Sequence, residues 1–199
     1  EPGVLFWDTI LRESVPDCYA DLGYRTVSTN PCGEIPLCPY DSCRLLAINL
    51  YSYVVNPFKP DAYFDFDLFK KHVALAQRIM DDIIDLELEK IERIMAKIDS
   101  DPENEDVKHT ESVLWQKIYK KSGQGRRTGV GITAEGDMLA ALGLRYGTEE
   151  ATEFAEKVHQ TVALSAYRSS VEMAKERGAF EVYDSEREKN NPFINRLRE

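Results

Sequence analysis

Pro31, Gly33, Pro36 and Pro39 crowd one short part of the stretch YRTVSTNPCGEIPLCPYDSCRLLAINL and bar it from forming a helix or a central strand. A chain containing it must carry it as a loop held between other elements. Tyr24 to Ser28 ahead of it predicts a strand. The apolar, partly β-branched Leu45 to Val55 behind it predicts a second extended segment, closed by Asn56-Pro57-Phe58-Lys59-Pro60.

Most of what remains has helical periodicity. Val4, Trp7, Leu11 and Val15 predict a short amphipathic helix that ends before Pro16. Asp67 is the expected N-cap of a long helix whose second half repeats Ile84, Leu88, Ile91, Met95 and Ile98. The acidic run from Asp99 to Asp106, with Pro102 inside, ends it as a solvated connection. Further helices are expected over about 111–119, over 134–142 with a stop at Gly143, and after Thr148, where Phe154, Val158, Val162 and Ala166 form one stripe. Ser185 and Glu188 fit a capping box for a last helix. Few strands, clustered early, with many helices predict an α/β, helix-rich architecture. The expected organisation is one unit over 1–199, with the short helix, strands and loop in 1–60 and mainly helix in 61–199.

Charge and cysteine usage narrow the function classes. Lys plus Arg number 25 and Asp plus Glu 35, a formal net charge of -10, so no excess of cations is available for a nucleic-acid backbone. No stretch approaches the length of a membrane span, and no basic leader with an apolar run opens the chain. Cys18, Cys32, Cys38 and Cys43 all fall early. A chain of 199 residues can bury a core without staples, so reduced thiols in a cytoplasmic protein are expected. The start at Glu1-Pro2-Gly3 and the stop in helical sequence at Arg196 to Glu199 suggest a piece of something larger.

The thiols allow several chemistries. In extended backbone, Asn30, Cys32 and Glu34 would alternate onto one face, a row of amide, thiol and carboxylate able to bind a hydroxyl, attack and move a proton. A tight loop with an inward cysteine and a solvated glutamate is the plainer alternative. Zinc or an iron–sulfur centre is a third. The intervals Cys32-x5-Cys38-x4-Cys43 contain no CxxC, and His72, His109 and His159 are remote in sequence, so no metal ligand is nominated. Cys32 and Cys43 could also serve as redox thiols, while Cys18 and Cys38 suit packing. Further on, Gly123 and Gly125 beside Arg126 and Arg127 suit either an anion cradle or a turn with a salt-bridged pair.

Two separated stretches carry a resemblance. NPCGEIPLCPYDSCRLLAINLYSYV resembles the active-site region of the ribonucleotide reductase large chain, most of all its adenosylcobalamin-dependent branch. GQGRRTGVGITAEGDMLAALGLRYG resembles a stretch further downstream in the same family. The resemblance implies a ten-stranded α/β barrel with a central finger loop carrying the motif at its tip. It implies that Cys32 becomes a thiyl radical that takes the substrate's 3′ hydrogen and that Glu34 takes the 3′-hydroxyl proton. Asn30 would bond the ribose hydroxyls, and Cys43 would be one member of the pair that reduces the 2′ position. It also implies adenosylcobalamin as cofactor and a ribonucleotide substrate, a diphosphate before a triphosphate. A dithiol reductant such as thioredoxin, nucleotide effectors bound outside this segment and a homodimeric parent protein complete the expectation. Neither nucleic acid nor membrane is expected as a partner. A metal-bound cysteine module and a non-catalytic helical interaction domain are the competing readings.

Overall fold

The computed structural model describes residues 4–42 and 44–198. The chain divides into two compact units, one built from 1–44, 82–127 and 179–199, the other from 45–81 and 128–178. In chain order the elements are α1 (Trp7–Glu13), a 3-10 segment (Val15–Leu22), β1 (Ser28–Thr29), β2 (Pro36–Leu37), β3 (Leu45–Asn49), β4 (Val54–Val55) and β5 (Tyr63–Phe64). There follow α2 (Phe66–Ser100), α3 (Glu105–Gly125), β6 (Gly129–Thr133), α4 (Glu135–Ala141), α5 (Glu149–Arg177), α6 (Ser185–Glu188) and α7 (Pro192–Arg196). The helix-rich expectation holds. The strands pair only in twos, β1 with β2, β3 with β6 and β4 with β5, and close no barrel among the described residues.

In the second unit, β3 and β6 run parallel, from Leu45 opposite Gly129 to Asn49 opposite Thr133. Parallel strands need a long crossover, and here it contains α2 and α3. Gly131 suits this ladder because a β-carbon there would lie 3.1 Å from Leu45 Cδ1. Ile48, Leu50, Tyr53, Phe64, Phe69, Val73, Met138, Leu139 and Val158 form the core of this unit. Tyr53 stacks edge-on against Phe69, and Phe64 does the same against Phe154. Thr148 caps α5 as expected, its Oγ1 accepting from Ala151 N–H at 3.3 Å, and the Phe154, Val158, Val162 stripe faces the core. His72 shares a 3.0 Å hydrogen bond with the Tyr53 hydroxyl, and His159 lies 3.4 Å from Glu135.

Several boundaries moved. Asp65, not Asp67, caps α2: its carboxylate accepts from Leu68 N–H at 2.9 Å, while Asp67 is exposed in the first turn beside Lys70. The segment after β3 is not one extended run, because a 3-10 turn over Leu50–Tyr53 interrupts it, with Asn49 Oδ1 accepting from Tyr51 N–H. α3 is longer than its apolar pattern indicated, since Asn104 caps it early and it runs to Gly125. The first expected strand is only Ser28–Thr29, and Asp184, one residue before Ser185, caps α6.

In the first unit, Tyr19, Tyr24 and Cys38 form a small core with Cys18, Phe180 and Val182 packed on it. The Tyr19 hydroxyl donates to Glu188 at 2.6 Å and accepts from Asp184 N–H, holding the end of the chain to the 3-10 segment. Asp17 accepts from both the backbone and the hydroxyl of Thr26. Among the described residues, no helix is long and apolar enough to cross a membrane.

Candidate active site

The NPCGE stretch is a turn, not an extended row. β1 and β2 pair antiparallel, with Ser28 opposite Leu37 and Thr29 opposite Pro36, and Asn30 closes the connection between them. Its backbone N–H donates to the Ile35 carbonyl at 3.1 Å, and its side-chain Oδ1 accepts from Ile35 N–H at 2.9 Å. Its carbonyl accepts from Gly33 N–H at 3.0 Å, the i to i+3 bond of a β-turn with Pro31 at i+1. Gly33 takes φ 83, which a side chain would strain.

The three candidate side chains therefore do not alternate on one strand face. Asn30 is 6% exposed and turned back to fasten the loop. Cys32 and Glu34 are both exposed on the turn that it closes. The reason is local: Asn at the first position, Pro at the second and Gly at the fourth all favour the turn over extension. With Oδ1 accepting from Ile35, Nδ2 is the donor atom of the Asn30 side chain. Cys43 lies outside the described residues.

The segment after the turn has no regular structure, yet charged groups pin it. Asp41, whose side chain is buried, accepts from Arg127, which also donates through Nη2 to the Pro36 carbonyl at 2.5 Å. Arg44, 7% exposed, donates to the Ser122 hydroxyl at 2.6 Å, to the Arg127 carbonyl at 3.0 Å and to Glu87. Its Nη1 lies 4.0 Å from Asp41, so two carboxylates and two guanidiniums balance. Arg126 pairs with Asp85 at 2.7 Å. Gly123 and Gly125 belong to the last helical turn of α3, and both neighbouring arginines engage carboxylates. This favours the ion-paired reading over the anion cradle, although Arg127 is largely buried rather than a surface residue.

Asp41, Arg44, Glu87 and Ser122 were not nominated from sequence. An arginine directly after a cysteine was the one available signal, and it names no partner.

Cys38 packs inward, as expected, at 4% exposure with its Sγ 3.7 Å from Asp41 Oδ2. Burial and then the Asp41 charge push its thiol pKa up, against the opposing pull of Arg127. Cys18 is half-buried and its thiol is also raised, chiefly by burial. Among the described residues, no metal-type grouping of three ligands includes a cysteine. The exposed thiol and carboxylate on a locked turn can support hydrogen or proton transfer on a ligand brought to them.

Comparison with known proteins gives the family of the chain. Residues 1–195 match the family model described as "Ribonucleotide reductase, barrel domain". A vitamin B12-dependent ribonucleoside-diphosphate reductase from Thermoplasma acidophilum is 35% identical over 190 residues, covering 95% of this chain and 21% of the relative. A relative of the same description from Mycobacterium tuberculosis is 31% identical over 188 residues, covering 94% of this chain and 22% of its own. The alpha subunit of a ribonucleoside-diphosphate reductase from Chlamydia pneumoniae is 28% identical over 159 residues, covering 78% and 12%. The chain thus spans about a fifth of the length of the first two relatives. With a family match over nearly its whole length, the chain belongs to the ribonucleotide reductase barrel-domain family.

Proposed function

We propose that this chain is a segment of the catalytic barrel of a ribonucleotide reductase, and that the full-length protein converts ribonucleotides to 2′-deoxyribonucleotides by thiyl-radical chemistry. The observation that carries the reading is the Asn30-locked turn, which presents Cys32 and Glu34 together to solvent. In a complete ten-stranded barrel this turn would be the tip of the finger loop. A diphosphate substrate is favoured by the descriptions of the relatives compared above.

Each residue then has a defined task. Cys32, as a sulfur radical, takes the hydrogen atom from C3′ and becomes a thiol, leaving the unpaired electron on the sugar. Glu34 accepts the 3′-hydroxyl proton, which promotes loss of the 2′-hydroxyl as water. Water loss leaves a 3′ carbonyl and the unpaired electron on C2′. Cys43 and a second cysteine then supply a hydrogen atom to C2′ and an electron with a proton to the 3′ carbonyl, which restores the 3′-hydroxyl and the C3′ radical, and they end as a disulfide. Cys32 returns its hydrogen to C3′ and regains the radical. Asn30 Nδ2 orients a ribose hydroxyl while its Oδ1 holds the turn.

Adenosylcobalamin would supply the one-electron chemistry that converts the Cys32 thiol to a radical, since a carbon-bound hydrogen is not removed homolytically by an acid or base. The exposure of Cys32 fits a thiol that such a group must reach. No residue of this chain is assigned to holding it. A dithiol reductant such as thioredoxin, effectors bound elsewhere, a homodimeric assembly and a cytoplasmic setting complete the proposal.

The test is nucleotide reduction by the full-length protein with adenosylcobalamin and a dithiol. Cys32→Ser is expected to abolish deoxynucleotide formation while circular dichroism stays unchanged, and retained reduction would refute the radical role. The 199-residue chain alone, spanning 21% of the Thermoplasma relative, is expected to give no turnover.

A further inference from the structure

Beyond β2, the described chain that follows the Cys32 turn has no secondary structure to set its shape before β3. β2 ends at Leu37, β3 begins at Leu45, and residues 38–42 and 44 belong to neither helix nor strand. Irregular segments of this kind are ordinarily the mobile part of a fold. Here Asp41 and Arg44 within it, and Pro36 just before it, are fastened by groups distant in sequence. Arg127 holds the Pro36 carbonyl and the Asp41 carboxylate at once, and Arg44 holds Ser122, Glu87 and the Arg127 carbonyl.

Local bonds add little by comparison. Asp41 N–H donates to the Cys38 carbonyl at 3.2 Å, and Ser42 N–H donates to Asp41 Oδ1 at 2.9 Å. Both lie within the segment and cannot fix it against the rest of the unit. The two arginines can, because Arg44 reaches Glu87 and Ser122 outside the segment and Arg127 is carried by the chain just past α3. Arg127 sits two residues beyond the end of α3, and Ser122 is in its last turn.

We propose that Arg127 and Arg44 are positioning residues which, through Asp41, Pro36, Ser122 and Glu87, hold the chain that follows the Cys32 turn and so fix where that turn stands. This rests on the reading of Cys32 as the hydrogen-abstracting thiol. Neither arginine touches substrate in it. Their effect is on where the Cys32 sulfur stands, and reactions between positioned groups lose about 100-fold in rate for a misplacement of about 1 Å.

The experiment measures amide hydrogen exchange over residues 36–44, together with kcat and KM for the ribonucleotide, in the full-length protein. Arg127→Met and the milder Arg127→Lys and Asp41→Asn are compared with Asp85→Asn, which removes the carboxylate that Arg126 pairs with and none of the partners named for Arg127 and Arg44, and should change neither readout. Exchange over 36–44 is expected to rise at least about tenfold in Arg127→Met, with kcat falling about 10- to 100-fold and KM changing less than about twofold. Arg127→Lys, which keeps the charge but not the fork, should fall between, and it carries the test if the methionine variant fails to fold. Unchanged exchange over 36–44 overturns the clamp, and raised exchange with unchanged kcat overturns the positioning role. If the unmutated protein reduces no ribonucleotide, the functional reading fails, and the exchange data alone decide whether the arginines fix the segment.

Discussion

Arg44 Nη2 donates to Ser122 Oγ at 2.6 Å, joining residues 78 positions apart that are 7% and 1% exposed. The same guanidinium meets Glu87, so the residue that follows Cys43 is held by α2 and α3 in its own unit. A buried charge held this way is costly to leave half-paired. Arg44→Met is expected to destabilise the chain by about 3 kcal/mol, because Glu87 and Ser122 lose their partner. Ser122→Ala should cost about 1 kcal/mol, since it removes one acceptor of several. Urea unfolding of both variants checks the order, and an equal loss in the two would show that Ser122 carries more than one hydrogen bond's worth.

Thiol accessibility separates the described cysteines. Cys32 is exposed, whereas Cys38 is buried against Tyr19 and Tyr24 with its thiol pushed to higher pKa. Alkylation by iodoacetamide near neutral pH is expected to label Cys32 first, and Cys38 only after denaturation. Peptide mass spectrometry over a time course reads the order. Early labelling of Cys38 would mean that the small core opens readily.

Gly125 faces the ring of Tyr24, and a β-carbon built there would lie 2.7 Å from Tyr24 Cε1. Two effects compete in Gly125→Ala. Helix propensity favours alanine by up to about 1 kcal/mol, while overpacking a filled site costs about 1–3 kcal/mol. Tyr24 is buried and covered on its face by Lys121, whose Nζ lies 3.8 Å from the ring centre, so it has little room to retreat. The substitution should therefore lower the melting temperature, and a rise would show that the ring moves freely.

Alkaline stability depends on the same tyrosine. Burial, followed by the nearby Cys38 and Asp41, pushes the Tyr24 hydroxyl up to about 12 from its ordinary 10.0. A raised folded-state pKa means that the contribution is fully present below about pH 10 and is lost as pH rises from 10 towards 12. The Tyr19 hydroxyl is shifted in the same direction by burial and Glu188. Tyr24→Phe should reduce the loss of stability over that window. It should also cost little or nothing near neutral pH, because the Tyr24 hydroxyl has no hydrogen-bond partner among the described residues. Denaturation midpoints of the two proteins at pH 8 and pH 11 give the comparison.

Local features were legible in the residues alone. The Thr148 cap, the Phe154 and Val158 stripe, the break before Pro102 and the left-handed Gly143 at the end of α4 depend on neighbours a few positions away. The Asn30 turn was also written locally, since Asn-Pro-x-Gly is a turn sequence. An alternating pattern had instead pointed to an extended row. β6 was hidden for another reason. Gly129 and Gly131 weaken a strand by themselves, and GVGIT extends only because β3 lies alongside it.

The sequence by itself determined the helix-rich composition, most of the helices and the two motif stretches that carry the family resemblance, because periodicity, capping and motif wording are properties of neighbouring residues. Tertiary structure decided which long-range groups meet: Leu45 with Gly129, Asp41 with Arg127, and Arg44 with Glu87 and Ser122. Such pairings carry no local mark, since a charged side chain seeks any opposite charge within reach. Only the folded backbone settles which one stands there when water is excluded.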